Sequence, residues 1–208
     1  MAGTFPTAGF TATELKSNTN SRLTESINGK TQRLKIGAQY FSLKLKSPPL
    51  TRSAFNEIYS FIIQQDGQVE SFTLTPPEIS STTGTMTGVI TTANVTSDDP
   101  AMSQSAGSTA VGVTDDGTPS GTLKKGDLIK FSNHDKVYML TENLTLANDS
   151  AVKQMSFHPP LTTSISGGST TVTYNSVPFK VFFTTDELSY EVQTDGLYRY
   201  EISVREEI

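Results

Sequence analysis

The 208-residue sequence predicts a mainly β fold with one clear α-helix, arranged as a β-sandwich-like domain plus a small β-barrel or sandwich module. Three observations carry that expectation. Short apolar runs recur between turn-forming residues along most of the chain. Ser, Thr and Gly are plentiful while charged residues make up only 18%, a mixture that suits strands joined by polar turns, because Thr fits a pleated surface and Gly supplies positive-φ corners. Helical spacing of apolar residues is convincing at one place, between Phe55 and Ile63.

Taken in order, residues 1–30 are polar, with Ser17 to Ser21 in succession and an Asn28-Gly29 turn signal, so they are expected to form an extended arm or loop. Residues 31–46 read as β structure: Phe41, Leu43 and Leu45 alternate with Ser42, Lys44 and Lys46, with Gly37 as a break. Pro48-Pro49 ends that run and a helix over about residues 51–66 follows. Its expected N-cap is Thr51, with Leu50 and Phe55 as a hydrophobic staple and Gly67 just past its end. Phe55, Ile58, Tyr59, Ile62 and Ile63 form one apolar stripe, assigned to the core. Val69 to Thr75 is a strand that presents Phe72 and Leu74.

Residues 79–122 change character, being rich in Thr, Ser, Gly and Asp, and are expected to be a polar linker or weakly patterned loop. A second β-rich stretch, 123–178, holds Leu128 to Phe131, Val137 to Leu140, Met155 with Phe157, and Val172 with Tyr174, at a spacing that suits a small barrel or sandwich. The chain closes with Phe179 to Phe183, Leu188 to Val192 and Leu197 to Val204, the last two joined by a Thr194-Asp195-Gly196 turn. This organisation predicts an N-terminal β domain over 1–78, completed by strands of 179–208, and a separate module over 123–178.

Composition narrows the function. Sixteen basic against twenty-one acidic residues give no basic footprint for nucleic acid. No apolar stretch approaches the roughly 20 residues needed to span a bilayer, so no membrane insertion is expected. The start lacks a basic segment followed by an apolar run, so no secretory signal is expected. Cysteine is absent, which excludes disulfides and thiolate chemistry.

No constellation for catalysis is found, and the expected catalytic, cofactor and metal residues are none. His134 and His158 stand 24 positions apart, without the i, i+4 spacing of a helical zinc site. His134-Asp135 could orient an imidazole, yet no nucleophile elbow accompanies it, and a solvated hairpin tip accounts for it. Asp98-Asp99 and Asp115-Asp116, with Gly117, could supply oxygens to Ca²⁺, but they lack EF-hand spacing and Asp-Gly is itself a turn signal. Gly126-Asp127 reads as a turn entering a strand. Glu70, Glu187, Glu191 and Glu201 are placed on strands, with no Trp to form a sugar platform. Asn94, Asn143 and Asn148 match the glycosylation pattern, which means little without secretion.

Two stretches carry a resemblance. GAQYFSLKLKSPPLTRSAFNEIYSFIIQQDGQVESFTLTPP (37–77) is similar to the strand, helix and aromatic strand of phage tail-tip proteins. LKKGDLIKFSNHDKVYMLTENLTLANDSAVKQMSFHPPLTTSI (123–165) resembles a β-module of phage virion proteins, and DGLYRYEISVREEI resembles their closing strand. The family it resembles is the phage distal tail proteins, with minor tail or baseplate proteins as equivalents. That resemblance implies a non-enzymatic ring oligomer of this chain. It would link the tail tube protein to the tip hub or baseplate, with receptor-binding proteins as further partners, in a virion assembled in the host cytoplasm. The alternative is a carbohydrate- or receptor-binding module in 123–178, which exposed Tyr on its strands would favour.

Overall fold

The computed structural model describes residues 3–6, 9–94, 104–114, 119–147 and 151–208. The first half carries β1 (Ala12–Asn18), β2 (Ser21–Glu25), β3 (Thr31–Lys35), β4 (Tyr40–Lys46), helix α1 (Arg52–Gln64) and β5 (Phe72–Leu74). The middle carries β6 (Ile90–Thr92), β7 (Ala110–Thr114), β8 (Ser120–Leu123), β9 (Leu128–Phe131), β10 (Val137–Leu140), β11 (Leu144–Ala147), β12 (Lys153–His158) and β13 (Thr171–Thr173). The last stretch carries β14 (Phe179–Phe183), β15 (Tyr190–Val192) and β16 (Tyr198–Glu206). The mainly β class with one helix is borne out.

Strands from both ends of the chain build one antiparallel sheet in the order β1-β4-β16-β14-β5, with β15 beside β16. Period-2 alternation sorts its faces. Phe41, Leu43 and Leu45 of β4, with Ile202 and Val204 of β16, are buried in a core shared with Phe72, Leu74, Phe179, Val181 and Phe183. On the opposite face Lys44 and Lys46 meet Glu201 at 2.6 and 3.2 Å. These surface pairs add little stability and keep that face wet.

Helix α1 covers part of the buried face with Phe55, Ile58 and Ile62. Thr51 caps it as expected, its hydroxyl accepting from the Ala54 amide at 3.5 Å, and Gly67 follows the helix at φ +64°. Thr51→Ala is expected to cost about 0.5–1 kcal/mol in urea unfolding; an unchanged midpoint would show that the cap contributes nothing. The stripe is narrower than the sequence suggests. Tyr59 is half-buried and Ile63 is 58% exposed, so the buried face of the helix is carried by Phe55, Ile58 and Ile62. Val69, read as the start of the next strand, is 79% exposed and lies in the turn before β5.

The N-terminal stretch is not simply a loop. Thr4 bridges Thr73 of β5, and Phe5 packs against Phe61 and Phe72 with centroids 5.6 and 5.9 Å apart. Residues 12–18 pair with β4 along the whole of β1. Leu15 is its one apolar strand residue beyond Ala12, so a periodicity search passes over it.

A closed barrel, in the order β10-β12-β7-β6-β13-β9, encloses a second core of Ile90, Val111, Val113, Phe131, Tyr138 and Phe157 among others. Residues 79–122, expected as a linker or weakly patterned loop, thus contribute two barrel strands and β8, which pairs with β11. Their burial rests on small residues: Ala110, Val111, Gly112 and Val113 are all buried. At Gly121 (φ +117°) a Cβ would lie 2.4 Å from the Thr85 carbonyl oxygen, so glycine there permits close backbone approach.

The β9–β10 hairpin serves both cores. Ile129, Phe131, Tyr138 and Leu140 point into the barrel, whereas Leu128 and Val137 join the core under the sheet. Each burial of that size contributes about 1.5–3 kcal/mol, so the barrel is docked onto the sheet by apolar contact as well as by the polar strut described next.

Candidate assembly surface

Two polar clusters fix the barrel in place. Glu206 continues the inward face of β16 beyond Val204 and is 1% exposed. Its carboxylate accepts from Lys136 Nζ at 2.5 Å, from the Val137 amide at 2.8 Å and from the Phe41 amide at 2.9 Å. Lys136, 2% exposed, also donates to the Val137 carbonyl at 3.1 Å and lies 4.7 Å from the Phe41 ring centre. Burial pushes its ammonium below the ordinary 10.5, against the opposing pull of Glu206. Sheet and barrel therefore meet at a dry, fully partnered charge pair. Nearby, Asp135 joins Lys130 at 2.8 Å and Lys180 at 3.5 Å, a more exposed second tie.

Asp127, read as an ordinary turn residue, is the second cluster. It is 4% exposed and accepts from the Thr82 hydroxyl, the Thr83 hydroxyl at 2.8 Å, the Thr83 amide at 3.0 Å and the Lys124 amide at 2.9 Å. Burial alone would raise its carboxyl, and these hydrogen bonds outweigh that and hold it below the ordinary 3.8.

With the barrel held, one element projects. Among the described residues strands β2 and β3 pair only with each other, in a register that sets Arg22 opposite Leu34 and Leu23 opposite Arg33. Every residue from Thr19 to Ile36 is exposed. Leu23 is 66% exposed, Leu34 64%, Ile36 62%, and Ile27 near the tip is open. A lone two-stranded hairpin is marginal in water, and exposed apolar side chains rimmed by charge mark interaction surfaces. Arg22, Lys30, Arg33 and Lys35 share this hairpin. The sequence hides that cluster, because Arg22 lies on β2, Lys30 in the turn and Arg33 and Lys35 on β3, and they come together only when β2 and β3 pair. Beside the hairpin, β1 is an outer strand of the large sheet, with Glu14 and Lys16 paired at 3.3 Å. Such charges discourage unplanned edge pairing.

The residues weighed for chemistry are scattered. His158 is exposed at the end of β12. His134 is not a solvated tip: its ring stacks on Phe131, Nδ1 lies 2.7 Å from Asn133 Oδ1, and Nε2 lies 2.7 Å from the Tyr138 hydroxyl. Burial, then the Lys130 charge, lowers its pKa below the ordinary 6.5, with Asp135 pulling the other way. A histidine whose folded value is depressed leaves stability full above pH 6.5 and reduces it as pH falls through that lower value. Urea midpoints are expected to fall from about pH 7.5 to 5 in the native chain and less in His134→Gln; parallel declines would contradict this.

Glu191 and Glu201 lie on β15 and β16, whereas Glu70 and Glu187 lie outside strands, in the turns flanking β5 and β15. Asn94 is exposed, and the Asn143 side chain accepts from the Lys125 amide at 2.9 Å. Asp98, Asp99, Asp115, Asp116, Gly117 and Asn148 lie outside the described residues. Among the described residues no three of His, Cys, Asp or Glu come together as a metal-holding group, and no helix is long and apolar enough to cross a membrane.

Residues 82–177 match the family model described as distal tail protein pb9, B domain. Over 208 residues, 98% of this chain and 95% of the relative, the sequence is 26% identical to distal tail protein pb9 of Escherichia phage T5. The family match begins inside the segment read as a linker and takes in all six barrel strands.

Proposed function

We propose that this chain, a structural component of a phage tail by its similarity to distal tail protein pb9, is a ring subunit linking the tail tube to the tip hub. The sheet, with α1, is the ring-forming unit: it comprises residues 1–78 completed by 179–208. The barrel is a module projecting from it, with no catalytic, metal or cofactor role.

The observation that supports this reading most is the hairpin from Thr19 to Ile36, exposed along its whole length and carrying four large aliphatic side chains. A ring subunit needs such a surface, since a closed head-to-tail assembly uses two different patches on each copy. Neighbours in the tail, the tube protein above and the hub below, would use the ring's two rims, and the particle would be assembled in the host cytoplasm. The carbohydrate- or receptor-binding alternative has less behind it: both tyrosines of 123–178, Tyr138 and Tyr174, are buried, at 0% and 7% exposure. Negative-stain imaging of the purified chain tests the proposal. Closed rings of uniform diameter are expected; two-fold dimers or open filaments would contradict it.

A further inference from the structure

Charge is segregated along this chain. Residues 12–46 hold seven lysines and arginines against Glu14 and Glu25, whereas residues 53–123 hold neither lysine nor arginine. The fold presents two surfaces of opposite sign, the acidic one drawing on Asp66 and on Glu187 and Glu191 from later in the chain. The basic one is the β2–β3 hairpin. The acidic one lies where the end of α1 meets the segment entering β15. There Asp186 accepts from the Gln68 amide at 3.1 Å, and Tyr190 packs on Phe55 and Tyr59 with centroids 4.8 and 5.3 Å apart, so residues 186–191 run alongside the helix.

This second surface has the same make-up as the hairpin with the sign reversed. Ile63, Val69 and Tyr190 are 58%, 79% and 46% exposed, and Asp66, Glu187 and Glu191 are exposed among them. The basic residues bordering it are Arg199, across from Glu191, and Arg52, at the opposite end of the helix from Ile63. Exposed aliphatic side chains in a field of one charge sign select a partner of the opposite sign that is itself apolar, because burial supplies affinity and charge supplies orientation and rejects wrong partners.

We propose that the β2–β3 hairpin of one copy docks on the acidic face around Ile63, Val69 and Glu187 of a second copy, head to tail. This rests on the ring reading and names the surface that would close it. A head-to-tail pair, unlike a two-fold pair in which both contacts are exchanged, leaves one hairpin and one acidic face open at its ends. Addition of further copies therefore continues until the ring closes.

The absence of cysteine makes a clean test, since introduced thiols are unique. Leu34→Cys and Val69→Cys chains, both altered at exposed positions, are treated with a short bis-maleimide, separately and mixed. A cross-linked dimer in the mixture and not in either chain alone is expected, and a chain carrying both changes should give a ladder ending at the ring size. Charge reversal supplies a second readout. Arg22→Glu/Arg33→Glu, or Glu187→Lys/Glu191→Lys, should each weaken self-association about tenfold or more, with mixing of the two variants restoring it. Leu34→Cys linking to itself would overturn the head-to-tail arrangement. Rings by microscopy without the mixed cross-link would overturn this surface and leave the ring reading standing. Absence of both rings and cross-link at the highest attainable concentration would overturn both.

Discussion

Glu206→Ala is expected to destabilise the fold by about 3–5 kcal/mol, the range seen when one partner of a buried ion pair is removed. The physical reason is specific to the three groups that Glu206 serves. Without the carboxylate, Lys136 is left as a cation with 2% of its surface in water, and the Val137 and Phe41 amides lose the acceptor they reach at 2.8 and 2.9 Å. Lys136→Met is expected to cost less, because Glu206 then keeps both amide donors. Glu206→Gln should fall between the two, since its amide retains one acceptor oxygen and brings its own donors toward Lys136. Urea denaturation gives the ranking, and proteolysis in the β9–β10 hairpin should rise in the same order. Loss of under about 1 kcal/mol in Glu206→Ala would mean that water or a rearranged Lys136 replaces the carboxylate, and that this buried pair is not what holds barrel to sheet.

Asp127→Ala is expected to cost about 3 kcal/mol, since hydrogen bonds to a buried charge contribute about 1.5–3 kcal/mol each and two of the donors are amides. The carboxylate draws the 82–83 turn and the Lys124 turn together at the entrance to β9. Asp127→Asn should recover only part of the loss, because its NH₂ faces donors. The pH dependence follows from the depressed folded value. The stabilisation is present above the unfolded carboxyl value and is lost as pH falls through the lower folded one, so it disappears only in acid below about 3.8. Hydrogen exchange at the Thr83 and Lys124 amides should speed up in Asp127→Ala while amides of α1 are unchanged. Uniform acceleration across the chain would show that the cluster is no local clamp.

Much of the sheet was legible because its strands face a core on one side and water on the other. Phe41, Leu43 and Leu45 against Ser42, Lys44 and Lys46 is a period-2 signal that only such a surface produces. Helix α1 was legible from its cap and stripe, and the β15–β16 hairpin from its Asp-Gly turn. The barrel strands β6 and β7 were not, because Ile90 is the one aliphatic residue in the first and the second buries Ala, Val and Gly on both faces. β2 left no pattern for the opposite reason: none of its residues is buried, so nothing forces alternation, whereas β3 falls within the 31–46 stretch read as β structure. Lys136 and Glu206 look like ordinary surface charges in the sequence, and their pairing across 70 residues exists only in the fold. The family resemblance, by contrast, was readable from 37–77 and 123–165 and is borne out by similarity along nearly the whole chain.

The claim that the hairpin drives assembly is tested most directly by its removal. Ser21 and Lys35 are register partners, so a Gly-Gly link can replace the residues between them without pulling on β1 or β4. Sedimentation velocity on the intact and shortened chains, at matched concentration, is the measurement. A closed multi-subunit species is expected for the intact chain and a monomer with an undiminished thermal transition for the shortened one. A shortened chain that sediments at the same multi-subunit size would contradict the claim.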